Sequence, residues 1–323
     1  MKKIGIFTSG GDSPGMNACI RAAVRTAIYH QLEVSGIFRG YEGMIEGDFQ
    51  EFDASSVSNI IQRGGTILKS SRSEAFRTKE GRATAAKQLK NHGIEGLIAI
   101  GGDGTFTGAK IFSEEHQVAI IGVPGTIDND LFGTDFTIGY DTAVNTVVDA
   151  VDKIRDTADA HNRLFFVEVM GRDAGFIGLR SGIGVGAEAI LIPETETYID
   201  ELIAKLKKGW ERKKSSSIII VSEGDDAGGA YKVAEAVKSK FDHYETKVTV
   251  LGHVQRGGSP SAADRVLSSH LGNAAVIALI EGKSNQMVGI INKEIAFTPF
   301  EKAIKHHHKI NQDLLTLANV LSI

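Results

Sequence analysis

The chain has 323 residues, enough for two domains of ordinary size or one large one. Apolar residues make up 42% of it, aromatics are few and there are 37 glycines, which fits a globular α/β protein with many tight turns. A formal net charge of −4 argues against nucleic acid or an anionic membrane as a partner, so any anion site has to be a local basic cluster. The single cysteine, Cys19, excludes an internal disulfide and fits a reducing cytoplasm. Met1-Lys2-Lys3 is followed by only a short apolar stretch, too short for a secretory signal, and no segment has the length of a membrane span. A cytoplasmic location is expected.

The first predicted strand, Ile4–Phe7, runs into Thr8-Ser9-Gly10-Gly11-Asp12-Ser13-Pro14-Gly15-Met16-Asn17, with a helix expected to follow. This loop has neither the Gly-Lys-Ser/Thr ending of a P-loop nor the Gly-x-Gly-x-x-Gly spacing. It reads either as a tight connection or as a strand-end cradle for phosphate. Val34–Phe38 is the second predicted strand. The third, Leu97–Ile100, ends in Gly101-Gly102-Asp103-Gly104-Thr105. Here Asp103 has two readings, a helix N-cap or a ligand to Mg²⁺, which prefers carboxylate oxygen.

The fourth strand, Ala119–Val123, leads to Pro124-Gly125-Thr126-Ile127-Asp128-Asn129-Asp130. If that segment is extended, Thr126, Asp128 and Asp130 share one face; the other reading is a surface Asp-Asn-Asp turn. Open α/β sheets bind ligands at the carboxyl ends of parallel strands. Carboxylates beside phosphate loops repel phosphate unless a divalent cation or a proton acceptor is wanted. The combination points to phosphoryl transfer.

The alternation restarts after Gly139, where a second α/β layer is expected to begin. Val144, Val147, Val148, Val151 and Ile154 mark one face of a helix. Further strands are predicted at Leu164–Val169, Ala189–Ile192, Ser217–Val221, Val248–Leu251 and Val288–Ile291, and the alternation implies a mostly parallel, doubly wound sheet. Basic residues recur at strand ends: Arg163, Arg172 in Met170-Gly171-Arg172, and His253 and Arg256 in Gly252-His253-Val254-Gln255-Arg256-Gly257-Gly258. A lone surface arginine is usually solvated and silent, less often so beside glycine at a strand's carboxyl end. His306-His307-His308 reads as a solvated helix face, because adjacent positions point around a helix.

Taken in order, Thr8–Asn17, Gly64-Gly65-Thr66, Gly101–Thr105, Pro124–Asp130, Asp152-Lys153-Ile154-Arg155-Asp156-Thr157, Glu168-Val169-Met170-Gly171-Arg172, Gly186-Ala187-Glu188 and Leu251–Pro260 resemble the bacterial phosphofructokinases over essentially the whole chain. The Gly-Gly-Asp-Gly-Thr motif alone would not suffice, since related NAD and lipid kinases carry it without Thr-Ile-Asp-Asn-Asp. The resemblance implies transfer of the ATP γ-phosphoryl to the 1-hydroxyl of D-fructose 6-phosphate, giving fructose 1,6-bisphosphate and ADP, the committed step of glycolysis. It implies two doubly wound α/β domains: a large nucleotide domain over 1–138 plus 252–301, and a smaller sugar-phosphate domain over 139–251 plus 302–323. A homotetramer with sites between subunits is also implied.

On that pattern Gly11, Arg72, Ser73, Gly102, Asp103, Gly104 and Thr105 hold ATP, with Asp103 on Mg²⁺. Thr126, Ile127, Asp128, Met170, Gly171, Arg172, Glu223, His253, Val254, Gln255 and Arg256 hold the sugar phosphate, and Arg163 and Lys247 reach it from a neighbouring subunit. Asp128 is implied as the catalytic base, with Thr126 and Arg172 beside it. A carboxylate of ordinary pKa, about 4, is a poor match for an alcohol, so Asp128 mainly orients the hydroxyl and accepts its proton late. An effector pocket for ADP or phosphoenolpyruvate is implied at Arg21, Arg25, Arg155, Gly186, Ala187, Glu188, Arg212 and Lys214.

The chain departs from the pattern in four places. Lys247 stands where arginine is usual, Ser71–Phe76 replaces the commoner Ala-Arg-x-Pro-Glu-Phe, Ala54 replaces an arginine, and Ser215-Ser216 replaces Lys-His. Two other readings compete. Pyrophosphate-dependent phosphofructokinases typically carry aspartate at the position of Gly104 and lysine at that of Gly125; both are glycine here. A non-catalytic sugar-phosphate-binding regulator would keep the basic cluster without needing Asp103, Thr126 and Asp128 together.

Overall fold

The computed structural model describes residues 1–158, 163–214, 216–305 and 309–322. Ser215 and the three histidines at 306–308 therefore lie outside the described residues, and the readings placed on them stay with the sequence. The chain divides into two compact units, one of Met1–Ile127, Leu131–Thr142 and Arg256–His308, the other of Asp128–Asp130, Ala143–Gln255 and Lys309–Ile323.

The first unit opens with β1 (Lys3–Thr8), α1 (Met16–Tyr29), β2 (Glu33–Ile37), α2 (Gly40–Glu46), β3 (Phe49–Phe52), α3 (Lys79–Asn91), β4 (Gly96–Gly101), α4 (Asp103–His116) and β5 (Ala119–Pro124). Helix α5 (Tyr140–Ala158) carries the chain into the second unit, which holds β6 (Arg163–Val169), α6 (Phe176–Gly184), β7 (Ala189–Leu191), α7 (Ile199–Glu211), β8 (Ser217–Ser222), α8 (Gly229–Lys240) and β9 (Glu245–Val250). The chain returns to the first unit for α9 (Ala262–Ile280), β10 (Gln286–Ile291), β11 (Glu294–Pro299) and α10 (Phe300–Lys305). It ends in the second unit with α11 (Gln312–Leu321).

In the first unit seven strands form one sheet in the order β11-β10-β5-β4-β1-β2-β3, parallel except for β3 and β11 at its two edges. Its inner strands are apolar on both faces because helices cover both. Successive side chains go to opposite faces. Ile4 and Ile6 of β1, Ile98 and Ile100 of β4 and Ile121 and Val123 of β5 pack with α1 and α9. Phe7, Leu97, Ala99 and Ile120 pack on the other side with Phe106 and Phe112 of α4. Four parallel strands form the sheet of the second unit, β7-β8-β6-β9. Leu164 and Phe166 of β6 and Ile219 and Val221 of β8 bury one of its faces against Leu202, Leu206, Val233 and Val237.

Every strand expected from the sequence is present, within a few residues at the ends. The valine face of α5 is also as expected, with Val144, Val147 and Val151 buried. Two strands lack a sequence signal. β3 is a short edge strand, Phe-Gln-Glu-Phe, whose two central side chains are exposed. β11 follows β10 through a two-residue hairpin, Asn292-Lys293, both at positive φ (50° and 71°). That is the twist a tight hairpin needs, but a lysine at the second turn position hides it, since glycine is the usual marker.

Candidate active site

In an open parallel sheet a crevice opens where the strand order reverses, outside the carboxyl ends of the strands. In the first unit β1 leads to β2 on one side while β4 and β5 lie on the other, so the reversal falls at β1 and β4. The loops leaving β1, β4 and β5 are Thr8–Gly15, Gly101–Thr105 and Pro124–Thr126, three segments the sequence singled out. They are tied together: Thr105 Oγ1 donates to the Ser9 carbonyl at 3.1 Å, and Gly125 N donates to the Gly101 carbonyl at 2.9 Å. Thr126 stands beside Gly102, whose absent Cβ would lie 3.6 Å from the threonine Cβ.

Further segments close this half. Asn17 donates to the carbonyls of Arg63 and Gly64 and accepts from Ile67 N at 2.8 Å, stapling the Gly64-Gly65-Thr66 turn to α1. Ser70 donates to the Gly10 carbonyl, which starts the Ser71–Phe76 stretch at the same loop. Arg256 lies against Gly11, where a Cβ would sit 2.7 Å from Nη1, and donates to the Asp12 carbonyl at 3.3 Å. A side chain at position 11 would push that guanidinium aside.

Asp103 is the first residue of α4, and the N-cap is Gly102, which makes no side-chain cap bond. The N-cap reading of Asp103 is corrected by this. The carboxylate instead rides in the first turn, where the helix dipole favours negative charge. The extended reading of Thr126, Asp128 and Asp130 is corrected as well. The chain bends at Ile127-Asp128, and Asn129 takes a left-handed φ of 54°, so strict alternation fails.

In the second unit the carboxyl ends of β8, β6 and β9 lie side by side. Met170-Gly171-Arg172 follows β6, Glu223 follows β8, and His253-Val254-Gln255 lies just beyond β9. One Glu223 oxygen accepts from both Gly171 N (3.3 Å) and Arg172 N (2.8 Å). Those bonds hold an unusual turn, with Gly171 at φ 141° and Arg172 at φ 53°. A left-handed arginine persists only where its surroundings impose it. Its guanidinium Nε then lies 3.6 Å from an oxygen of Asp128, which is only 4% exposed while Arg172 is 67% exposed. An arginine open to solvent thus faces a buried carboxylate.

Gln255 is fully buried. Its carbonyl oxygen accepts from Met170 N at 3.2 Å and its amide donates to the Gly252 carbonyl at 3.1 Å. Its side chain thereby holds Met170 in place within the segment expected to meet the sugar phosphate. Ile127 is likewise fully buried, whereas Val254 is exposed. Arg163 opens β6 and is ion-paired with Glu245 at 2.8 Å, and Lys247 pairs with the same carboxylate at 2.6 Å. These two cations hold the Glu245 carboxyl at about 2, below the usual range.

Of the expected effector residues, Arg21 and Arg25 lie on α1 in the first unit, the rest in the second. There Lys214 meets both Glu188 oxygens at 2.6 Å, and Arg155 donates to the Val185 carbonyl. Gly186 and Ala187 belong to the turn between them, and Arg212 is exposed at the end of α7.

Three supporting residues escaped the sequence reading. Thr137 Oγ1 donates to the Thr126 carbonyl at 2.6 Å. Asp264, buried in the first turn of α9, accepts from Gly139 N and Thr142 N, each at 2.8 Å, and from the Thr142 hydroxyl. Burial pushes its carboxyl up, against those hydrogen bonds. Tyr41 stacks on Phe76 and donates to the Thr105 carbonyl at 2.7 Å. Each looks in sequence like an ordinary core or helix-start residue, so no local pattern betrays it.

Glycine-rich strand ends with a lone carboxylate at a helix start, and a buried carboxylate facing an arginine, are the parts a phosphoryl-transfer enzyme requires. The family model described as phosphofructokinase matches residues 3–279. The chain is 59% identical to the ATP-dependent 6-phosphofructokinase of Cytophaga hutchinsonii over 322 residues, covering 100% of this chain and 98% of that one. It is 54% identical to the ATP-dependent 6-phosphofructokinase 1 of Thermus thermophilus, with 100% of both chains covered. Among solved structures, the phosphofructokinase of Saccharomyces cerevisiae matches with a TM-score of 0.90 and 36% identity over 99% of this chain. The chain spans 47% of that longer one. The pyrophosphate-dependent phosphofructokinase of Marinobacter aquaeolei shares the fold, with a TM-score of 0.85 at 22% identity over 99% of this chain and 91% of that one. The chain belongs to the phosphofructokinase family.

Proposed function

We propose that this protein is an ATP-dependent 6-phosphofructokinase, moving the γ-phosphoryl of ATP to the 1-hydroxyl of D-fructose 6-phosphate and releasing fructose 1,6-bisphosphate and ADP. The observation that carries the reading is the buried Asp128 beside Arg172, in a chain whose first unit gathers three glycine-rich strand ends. The relatives named ATP-dependent 6-phosphofructokinase support ATP as the donor, as do the glycines at 104 and 125.

The N–H groups of Gly11 and of residues 102–105, at the start of α4, receive the phosphates, and Arg72 and Ser73 lie along the nucleotide. Asp103 suits Mg²⁺. Among the described residues no group of three or more His, Cys, Asp or Glu side chains makes a closed metal site. Mg²⁺ takes one or two carboxylates and fills its shell with phosphate oxygens and water. When bound, Mg²⁺ neutralises charge on the phosphates. Thr126, Met170, Gly171, Glu223, His253 and Arg256 bind the sugar phosphate. Arg163 and Lys247 receive its 6-phosphate from a neighbouring subunit of a homotetramer. Asp128 orients the 1-hydroxyl and takes its proton late, and Arg172 meets the charge spreading over the transferring phosphoryl. Among the described residues no helix is long and apolar enough to cross a membrane.

The test is a coupled assay of purified protein with fructose 6-phosphate and Mg²⁺, comparing ATP with pyrophosphate. Turnover with ATP at least a hundredfold above that with pyrophosphate is expected. A preference for pyrophosphate, or saturable sugar-phosphate binding without ADP release, would overturn the reading.

A further inference from the structure

We propose that Glu245 is a built-in counter-anion that occupies Arg163 and Lys247 until the 6-phosphate of the sugar displaces it, and so sets the affinity for that phosphate. The inference rests on the assignment of those two cations to the 6-phosphate. β6 and β9 pair in parallel with Arg163 opposite Glu245. Glu245 and Lys247, two apart on β9, point to the same side of the sheet. The three side chains therefore meet at the amino-terminal ends of β6 and β9, and the carboxylate divides itself between the cations. Oε2 lies 2.8 Å from Arg163 Nε and Oε1 lies 2.6 Å from Lys247 Nζ. Two oxygens on one centre, each taking a different cation, is the contact a terminal phosphate makes.

Exposure decides that the arrangement can be displaced. Glu245 is 48% and Lys247 45% exposed, while Arg163 is 22% exposed. In the isolated chain the Glu245–Lys247 pair is open to water on both sides and holds weakly, while Arg163 is the more buried anchor. A phosphate dianion carries more charge and a third oxygen, so it outcompetes one carboxylate while losing part of its binding to the exchange. The carboxylate in turn keeps two like charges from facing each other at the starts of β6 and β9 when no sugar phosphate is present. A purely structural role would have the opposite sign: a carboxylate that holds the cations in place would strengthen phosphate binding.

The experiment is calorimetric titration of fructose 6-phosphate, without nucleotide, into the full-length parent, E245Q, E245D and R163A, repeated in the presence of inorganic phosphate as competitor. E245Q is expected to bind fructose 6-phosphate about tenfold more tightly. Inorganic phosphate should also compete more strongly in E245Q. E245D, too short to span both cations, should fall between E245Q and the parent. A dissociation constant unchanged or raised in E245Q would overturn the proposal. Should E245Q fail to fold, E245D decides by sign alone, tighter binding supporting and unchanged or weaker binding overturning. R163A separates the two levels. Unaltered affinity in R163A would overturn the 6-phosphate assignment itself, whereas weakened binding there with no gain in the Glu245 variants would overturn only the counter-anion.

Discussion

Replacing Gly104 by aspartate separates donor choice from folding. Gly104 is the second residue of α4, and a Cβ built there meets nothing within 4 Å. Glycine in a helix is about 1 kcal/mol poorer than alanine and aspartate only about 0.7 kcal/mol poorer. A carboxylate in the first turn gains about 0.3–1 kcal/mol from the helix dipole. Stability is therefore expected to rise by about 0.6–1.3 kcal/mol. A carboxylate about 4 Å from an ATP phosphate, by contrast, costs about 4 kcal/mol per unit charge at an effective dielectric of 20. That is about three powers of ten in kcat/KM. The assay is kcat/KM for ATP at saturating fructose 6-phosphate, alongside a thermal melt. A kcat/KM within about tenfold of the parent in a normally folded G104D protein would refute the path assigned to the nucleotide. Gly125 offers no such separation. A Cβ there lies 3.0 Å from Ile100 Cγ2 and 3.1 Å from Met16 Cε, so a side chain at that position disturbs the core as well as the donor.

Asp128→Ser is expected to lower kcat by several powers of ten with little change in substrate affinities, because the carboxylate acts on the reacting hydroxyl chiefly in the transition state. Retention of more than about a tenth of kcat, a loss under ~1.4 kcal/mol, would remove it from that role. Glu223→Ala deprives Gly171 N and Arg172 N of their acceptor, which costs about 1–3 kcal/mol where those groups are shielded from water. A lower melting temperature and a raised KM for fructose 6-phosphate should appear together, and an unchanged KM would dissociate Glu223 from positioning Arg172. For regulation, Lys214 is engaged by both Glu188 oxygens and Arg155 by the Val185 carbonyl, while Ala54 supplies no cation. Weak activation by ADP and weak inhibition by phosphoenolpyruvate are expected in fructose 6-phosphate saturation curves. A large shift in half-saturation at sub-millimolar effector would show that the remaining cations suffice.

The sequence by itself determined the architecture and most of the chemistry-bearing loops. Buried parallel strands must be apolar on both faces, so β1, β4, β5, β6 and β8 stand out as short runs, and the glycines, carboxylates and arginines at their ends are local signals. Edge strands carry no such constraint, which is why β3, with two exposed central residues, and β11, behind an Asn-Lys turn, were illegible. Alternation along Thr126–Asp130 failed for a different reason. The chain bends at Ile127-Asp128 and Asn129 turns left-handed, which asparagine tolerates, so the turn reading of Asp-Asn-Asp was legible but its burial was not. The tertiary structure alone decided what each side chain does with its hydrogen bonds. Gln255 sits in a motif that reads as ligand-binding, yet its amide is consumed by the backbone of Met170 and Gly252. Asp264 braces Gly139 from 125 residues away and Thr137 holds the Thr126 carbonyl, and Glu245 finds its second cation 82 residues away, at Arg163. A sequence specifies which groups exist and what pattern buries them; partners far apart in the chain are chosen only when strands and helices bring them within hydrogen-bonding distance.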